Sequence, residues 1–382
     1  MRKFMIIIVI AAVLLFLSIN GYIAWHAWSA FKLYSNTLAG IIPFFIILSA
    51  AMLPLARLLE QALPFFMLRF MYIWGAYWLG TMFYSFLILL VIDVIRLIKT
   101  ICAHFFVMQL PALNMLWAVL LLLLALNIYG TWNARQPVIN EYHITLAKKG
   151  STLDTLKTVM VSDTHLGWVN RQAQLDSMVQ RINSLRPDIV FMAGDILDEG
   201  IDPAFRQTII ASLSAVKAPL GIYAVLGNHE YISGQQEMFF SSLAQAGVHA
   251  LRDEWILLDQ ALYIVGRDDA SGSRFSENRR KNLEALTAEI DAAGLPVILL
   301  DHQPSELVLA GSTDIDLQFS GHTHRGQLFP NHLITGKIFA QDWGYYQQNS
   351  FQAIVSSGYG TWGPPLRIGS HPEIVVAHLT FK

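Results

Sequence analysis

Five short apolar runs each end in residues that can bind a metal or move a proton. Leu156–Val161 is followed by Ser162-Asp163-Thr164-His165, and Ile189–Ala193 by Gly194-Asp195, with Asp198 three residues further on. Gly221–Leu226 leads into Gly227-Asn228-His229-Glu230, Pro296–Leu300 into Asp301-His302, and Ile315–Phe319 into Ser320-Gly321-His322-Thr323-His324. Taken singly, each is ordinary: an Asp after a strand caps or turns, and Asn tolerates the φ > 0 of a turn. Five in order between residues 162 and 324 are not explained by turn chemistry. The set is all His, Asp and Asn. Imidazole with carboxylate and amide oxygen suits borderline first-row ions such as Mn, Fe or Zn. It is too large for one tetrahedral ion and fits two ions sharing a bridging carboxylate, an arrangement used for in-line displacement at phosphorus.

The elements that must position these groups are legible in the same stretch. The runs are short, β-branched and nearly unbroken, and helix-like stretches such as Gln172–Leu185 and Asn278–Ala293 lie between them. That alternation predicts an α/β domain whose strands are buried on both faces. In such sheets ligands sit just beyond the carboxyl ends of the strands, where all five motifs fall. Val138–Leu146 alternates crudely and reads as the first strand. Phe351–Phe381 reads as further strands with Gly-Pro turns.

The remainder of the chain is different in kind. Of 382 residues, 54% are hydrophobic and only 14% charged, against about 25% charged in an ordinary soluble domain. Residues 1–130 hold seven basic and two acidic residues, and residues 131–382 hold 19 basic and 26 acidic. Four stretches, Phe4–Trp25, Thr37–Leu55, Phe70–Ile92 and Phe105–Tyr129, are long and apolar enough to span a bilayer. Tyr and Trp cluster at their ends. His26 and His104 read as interface residues, and Asp93 with Arg96 as a pair at a helix end. The Lys/Arg bias places both ends of this multi-pass region, and the soluble domain, on the cytoplasmic side of a bacterial inner membrane. The acidic soluble half excludes non-specific nucleic-acid binding, which needs basic surface. The single cysteine, Cys102, allows neither an intrachain disulfide nor a thiolate metal site. The expected organisation is a four-helix transmembrane domain over 1–130, a linker and first strand over 131–155, and the α/β domain over 156–382.

The order Asp163-x-His165, Gly194-Asp195-x-x-Asp198, Gly227-Asn228-His229-Glu230, His302, Gly321-His322-Thr323-His324 resembles the calcineurin-like metallophosphoesterases. The resemblance runs from about Leu156 onward. Asp301-His302-Gln303-Pro304 and Gly358-Tyr359-Gly360-Thr361-Trp362-Gly363-Pro364-Pro365-Leu366-Arg367 are similar to a bacterial membrane-associated phosphodiesterase branch. The resemblance implies a four-layer α/β sandwich and a phosphate-ester substrate cleaved by metal-bound hydroxide. It implies that Asp163, His165 and His324 hold one divalent ion, that Asn228, His302 and His322 hold the other, and that Asp195 bridges. His229 would stabilise the transition state or protonate the leaving oxygen, oriented by Asp198.

Two positions depart from that branch. Arg325 stands where Gly usually follows the His-x-His motif, and Ser357 precedes Gly358 where relatives carry Arg. An Arg moved rather than lost would let Arg325 contact the substrate phosphate; otherwise Arg325 is an ordinary surface residue. Two other functions compete with hydrolysis: a catalytically silent membrane sensor, and a transport unit regulated by the soluble domain. The intact ligand set speaks against the first and the few intramembrane polar groups against the second. Four spans exceed what tethering requires, so the substrate expected is a lipid-linked phosphodiester or diphosphate, with a soluble nucleotide diester as the alternative.

Overall fold

The computed structural model describes residues 2–101, 112–147, 149–275, 279–292 and 294–382. The chain divides into two compact units, Met1–Thr131 with Gly363–Leu366, and Trp132–Trp362 with Arg367–Lys382.

The first unit is built on α1 (Arg2–Phe31), α2 (Asn36–Leu58), α3 (Phe65–Ile101) and α4 (Ala112–Asn133). All four are long and apolar enough to cross a membrane. The first three outrun the apolar stretches read from the sequence, because a polar or charged residue ends an apolar run without ending a helix. Thus α3 has 37 residues, about 55 Å at 1.5 Å per residue. The predicted start of the fourth span at Phe105, with Cys102 and His104, lies outside the described residues. A stop does appear before α2, where the Ser35 side chain accepts from the Thr37 and Leu38 amides. Several polar groups inside this unit are paired. Trp78 Nε1 donates to Asn20 Oδ1 at 3.0 Å, and Trp74 Nε1 to Ser49 Oγ at 3.0 Å. Arg96 meets Asp93 at 3.2 Å, as the sequence predicts. Tyr22 and His26 join the same carboxylate at 2.7 and 2.9 Å.

The second unit contains β1 (Val138–Leu146), β2 (Thr155–Val161), α5 (Gln172–Leu185), β3 (Ile189–Ala193), α6 (Pro203–Ser214), β4 (Ile222–Val225), α7 (Asn228–Ile232) and α8 (Gln236–Gln245). There follow β5 (His249–Leu251), β6 (Glu254–Leu258), β7 (Leu262–Gly266), β8 (Val297–Leu300), β9 (Leu317–Ser320), β10 (Gly344–Gln348), β11 (Phe351–Val355) and β12 (Glu373–Phe381). They form two six-stranded sheets, ordered β1-β12-β2-β3-β4-β5 and β10-β11-β9-β8-β7-β6.

Three apolar clusters define four layers. Leu156, Met160, Phe191, Ile298 and Phe319 meet between the sheets. Val159, Val161 and Val190 pack outward on α5, α6 and α8. Val265, Val297 and Leu299 pack on the helix Leu283–Thr287. Strand β2 therefore sends Met160 inward and its neighbours Val159 and Val161 outward, which is why the run reads as unbroken rather than alternating. The predicted helix Asn278–Ala293 is shorter than expected. Among the described residues it is a helix only over Leu283–Thr287, which starts where the Asn282 side chain accepts from the Ala285 amide.

Parallel pairing of β2, β3 and β4 brings their carboxyl ends to one edge. The second sheet does the same for β8 and β9. The loops then bind one another: Asp163 N donates to Gly194 O and Gly321 N to His302 O, each at 2.9 Å.

Candidate metal centre

All five strand-end motifs converge. Asp163, His165, Asp195, His302 and His324 are buried, and Asn228 and His322 are half-buried. Two groups lie side by side, with Asp195 Oδ2 of the second 3.9 Å from His165 Nε2 of the first. Asp163, His165 and His324 place one potential ligand atom each within 4.8 Å of the others, as do Asp195, His302 and His322. Asn228 Oδ1 lies 2.7 Å from His322 Nδ1 and 3.2 Å from His302 Nε2, completing the second group. His165 and Asp195 also form a grouping with His229, so distance alone does not set His229 apart from the ligands.

The backbone here is strained. Asp163, His165, Asp195, His322, His324 and Arg325 all have φ between 45° and 75°, at a cost of about 1–3 kcal/mol each. Strain of this kind persists only where surroundings impose it. Gly227 shows how tightly they do: a Cβ there would lie 2.1 Å from Asp195 Oδ1. The left-handed backbone at Arg325 also explains why Gly is the ordinary residue at that position.

The donors are arranged as cation ligands. His165 Nε2 and His324 Nε2 face each other at 3.0 Å, and Asp163 Oδ1 lies 3.4 Å from His324 Nε2. His302 Nδ1 must donate to the Ala193 carbonyl at 2.8 Å. That fixes the tautomer and leaves Nε2 for a metal, the usual outer support of a ligating imidazole. Nε2 lies 3.1 Å from Asp195 Oδ2.

Titration behaviour fits. Burial, with the neighbouring His302, pushes His322 down to about 4. Burial, His165 and Arg367 hold His324 well below its ordinary value. Both rings are thus neutral, as ligands must be. Burial opposes a charge on His302, but Asp195 and Asp163 outweigh it and hold its proton well above the ordinary range. Burial likewise resists ionisation of Asp195, and His302, His229 and His165 override it. A proton on His302 therefore stands where a divalent ion would supply the same countercharge. The residues present fit two such ions, with oxygen and nitrogen donors and no sulfur.

His229 sits beside this set. Its Nδ1 lies 3.3 Å from Asp198 Oδ2, and His165 Nδ1 lies 3.4 Å from the same oxygen. These are ion-pair distances without hydrogen-bond alignment, and both ring nitrogens are otherwise unpartnered. Burial lowers the His229 proton affinity, but Asp198, Asp195 and Glu230 raise it to about 9. Arg325 lies over the Trp343 ring, 3.9 Å from its centroid.

Three residues escaped notice as individual contributors. Glu230 is buried and accepts from the Ile196, Leu197 and Gly227 amides at 2.7–2.9 Å, tying the β3 loop to the β4 loop. Arg367 is fully buried; it donates to the Ser357, Gly358 and Gly360 carbonyls and reaches His324 Nδ1 at 3.2 Å. Trp362 meets His229 edge-on at 5.8 Å. The Glu after Gly-Asn-His, and the Arg and Trp of the tail motif, were visible signals, but their partners are mostly backbone groups that no side-chain pattern reveals.

Comparison with known proteins agrees with this geometry. Residues 156–326 match the family model described as calcineurin-like phosphoesterase. A Bos taurus transmembrane protein with metallophosphoesterase domain is 31% identical over 271 residues, 65% of this chain and 59% of that protein. A Danio rerio protein of the same description is matched over 60% of its length, so the chain spans about 60% of these vertebrate relatives. An uncharacterized metallophosphoesterase of Aquifex aeolicus is 34% identical, over 65% of this chain and 92% of that one. Among solved structures, a dimetal phosphatase from Danio rerio aligns with 54% of this chain and 88% of its own, at 14% identity and a TM-score of 0.35. On the family-model match and the Aquifex relative, the chain belongs to the calcineurin-like phosphoesterase family.

Proposed function

We propose that the protein is a membrane-anchored phosphoesterase using two divalent ions, Mn, Fe or Zn, to cleave a phosphodiester or diphosphate of a lipid-linked substrate. The observation that carries the chemistry is the pair of adjacent ligand groups, Asp163, His165 and His324 beside Asp195, His302 and His322, with Asp195 Oδ2 3.9 Å from His165 Nε2. Asp163, His165 and His324 would hold one ion, Asn228, His302 and His322 the other, and Asp195 both. Such ions supply Lewis-acid activation of water and neutralise phosphoryl charge. The chain's own residues do the rest. His229, protonated at neutral pH, gives its proton to the leaving oxygen. Asp198 holds the imidazole through Nδ1, and Arg325 contacts a phosphate oxygen while its face stays on Trp343.

The lipid linkage is supported by what borders the site. Phe329, Leu333, Ile334, Ile338 and Trp362 are each more than half exposed. The first four belong to or flank the helix His332–Ile338, and the next residue, Phe339, meets His322 edge-on at 5.8 Å. An apolar surface thus runs up to the ligands. A chain laid on it recovers about 0.8 kcal/mol per methylene, which offsets the cost of lifting a lipid from the bilayer. Only residues 134–137 separate α4 from β1, so the tether is short. The Lys/Arg bias supports a cytoplasmic catalytic unit at a bacterial inner membrane.

The test is turnover by the detergent-purified chain, stripped of metal and reloaded with Mn, Zn, Fe or Mg. Soluble aryl diesters and lipid-linked diphosphates in mixed micelles would be compared. Metal-restored hydrolysis, faster on the lipid, is expected. Hydrolysis of neither class would overturn the enzymatic reading, and hydrolysis of soluble diesters alone would overturn the lipid linkage.

A further inference from the structure

We propose that Glu141, His143 and His378 form a separate, solvent-facing binding site for a borderline divalent cation such as Zn²⁺, which clips edge strand β1 to β12. Along β1 the even residues Tyr142, Ile144 and Leu146 turn into the core between the sheets. Glu141 and His143, two apart, therefore share the outer face. His378 is the register partner of His143 across the parallel β1–β12 pair, and the two rings stack at 4.8 Å with 13° between their planes. Glu141 Oε2 lies 3.2 Å from His378 Nε2. One ligand atom from each residue falls within 4.8 Å of the others.

Two imidazoles and a carboxylate are a common zinc donor set that leaves coordination positions for water. The nearest cation in register does not compete. Lys157 pairs with His378 from the other side, but its ammonium donates to the Leu185 carbonyl at 2.6 Å. The strands themselves hold the three groups together, so little ordering is left for the ion to impose. Glu141 and His378 are 237 positions apart. A clip between them constrains a long loop, where cross-links gain most in loop-closure entropy.

The experiment is a Zn²⁺ titration of the metal-free full chain in detergent, by calorimetry and with Co²⁺ as a spectroscopic stand-in. Wild type should bind one more zinc than His143→Ala or His378→Ala, while Mn²⁺-dependent hydrolysis is unchanged in both. Glu141 is exposed, so Glu141→Gln tests the site without disturbing the core; its affinity for the extra zinc should fall by roughly tenfold or more. Zinc should also raise the melting temperature of wild type more than that of either histidine variant. Equal stoichiometry and equal affinity in wild type and Glu141→Gln would overturn the proposal, whether or not the alanine variants fold.

Discussion

Each unit contains an aspartate flanked by histidine, and the two are put together differently. In the helices, Asp93 takes Tyr22, His26 and Arg96 within 2.7–3.2 Å, on regular helical backbone. Every approach joins a donor to an acceptor, and the cluster is closed. In the α/β unit, Asp163 and Asp195 sit on left-handed backbone, and imidazole nitrogens confront one another at 3.0 Å. That arrangement is complete only with a cation. A carboxylate beside an imidazole does not itself mark a reactive site. Convergent acceptors on a strained backbone do.

The comparison breaks most visibly at Asp195, which belongs to one ligand group and lies 3.9 Å from His165 of the other. Asp195→Asn should lower metal content and reduce turnover to background, while far-ultraviolet dichroism keeps the helical signal of the membrane unit. Two tightly held ions found by elemental analysis in that variant would remove its bridging role.

His229 is the next test, because the geometry alone leaves it among possible ligands. His229→Ala should retain both ions and lose turnover by about 10²–10⁴-fold. Substrates with good leaving groups should suffer less, since they need little protonation. Asp198, Asp195 and Glu230 outweigh burial and hold the His229 proton to about 9, so the acid form is present at neutral pH and is lost as pH rises. Turnover should fall on that alkaline side in the wild type, and this limb should flatten in the variant. A metal content reduced by one ion would instead make His229 a ligand.

A smaller and selective effect is expected on the apolar border. Leu333→Asp with Ile338→Asp should lower turnover of lipid substrates in mixed micelles several-fold and leave soluble diesters unchanged; equal loss on both would separate this surface from substrate binding. The smallest effect belongs to the helical cluster. Tyr22→Phe removes one interhelical hydrogen bond, worth about 0.6 kcal/mol in a membrane bundle. It should lower thermal stability in detergent slightly, with turnover unchanged. A large loss of activity would show that the closed cluster is not merely structural.

Much of the candidate site was legible because ligand chemistry restricts residue type: His, Asp and Asn at strand ends cannot easily be replaced, and their order survives in the chain. The strands were legible for a related reason. Burial on both faces leaves unbroken runs such as Ile189–Ala193. What escaped depends on long-range or backbone partners. Nothing local to Glu373–Phe381 announces that it inserts between β1 and β2. Nothing local to Arg367 announces that its guanidinium would serve backbone carbonyls of Ser357–Gly360. The shortness of Leu283–Thr287 was hidden as well, because its two buried leucines, Leu283 and Leu286, carry the same spacing as a longer helix.

The position of β12 also sets a timetable. Among the described residues of the first sheet β1 pairs only with β12, which lies between it and β2. During synthesis β1 leaves the ribosome soon after the fourth helix, yet its sole partner spans 373–381. At about 5–20 residues per second, that strand waits roughly ten to fifty seconds with its edge unpaired. The residues leading into β12, from Ser357 through Arg367, are those that brace His324 and carry Trp362 to His229. Assembly of the sheet and completion of the candidate active site therefore coincide, and a ribosome stalled before residue 373 would leave the helices made and the α/β unit unfinished.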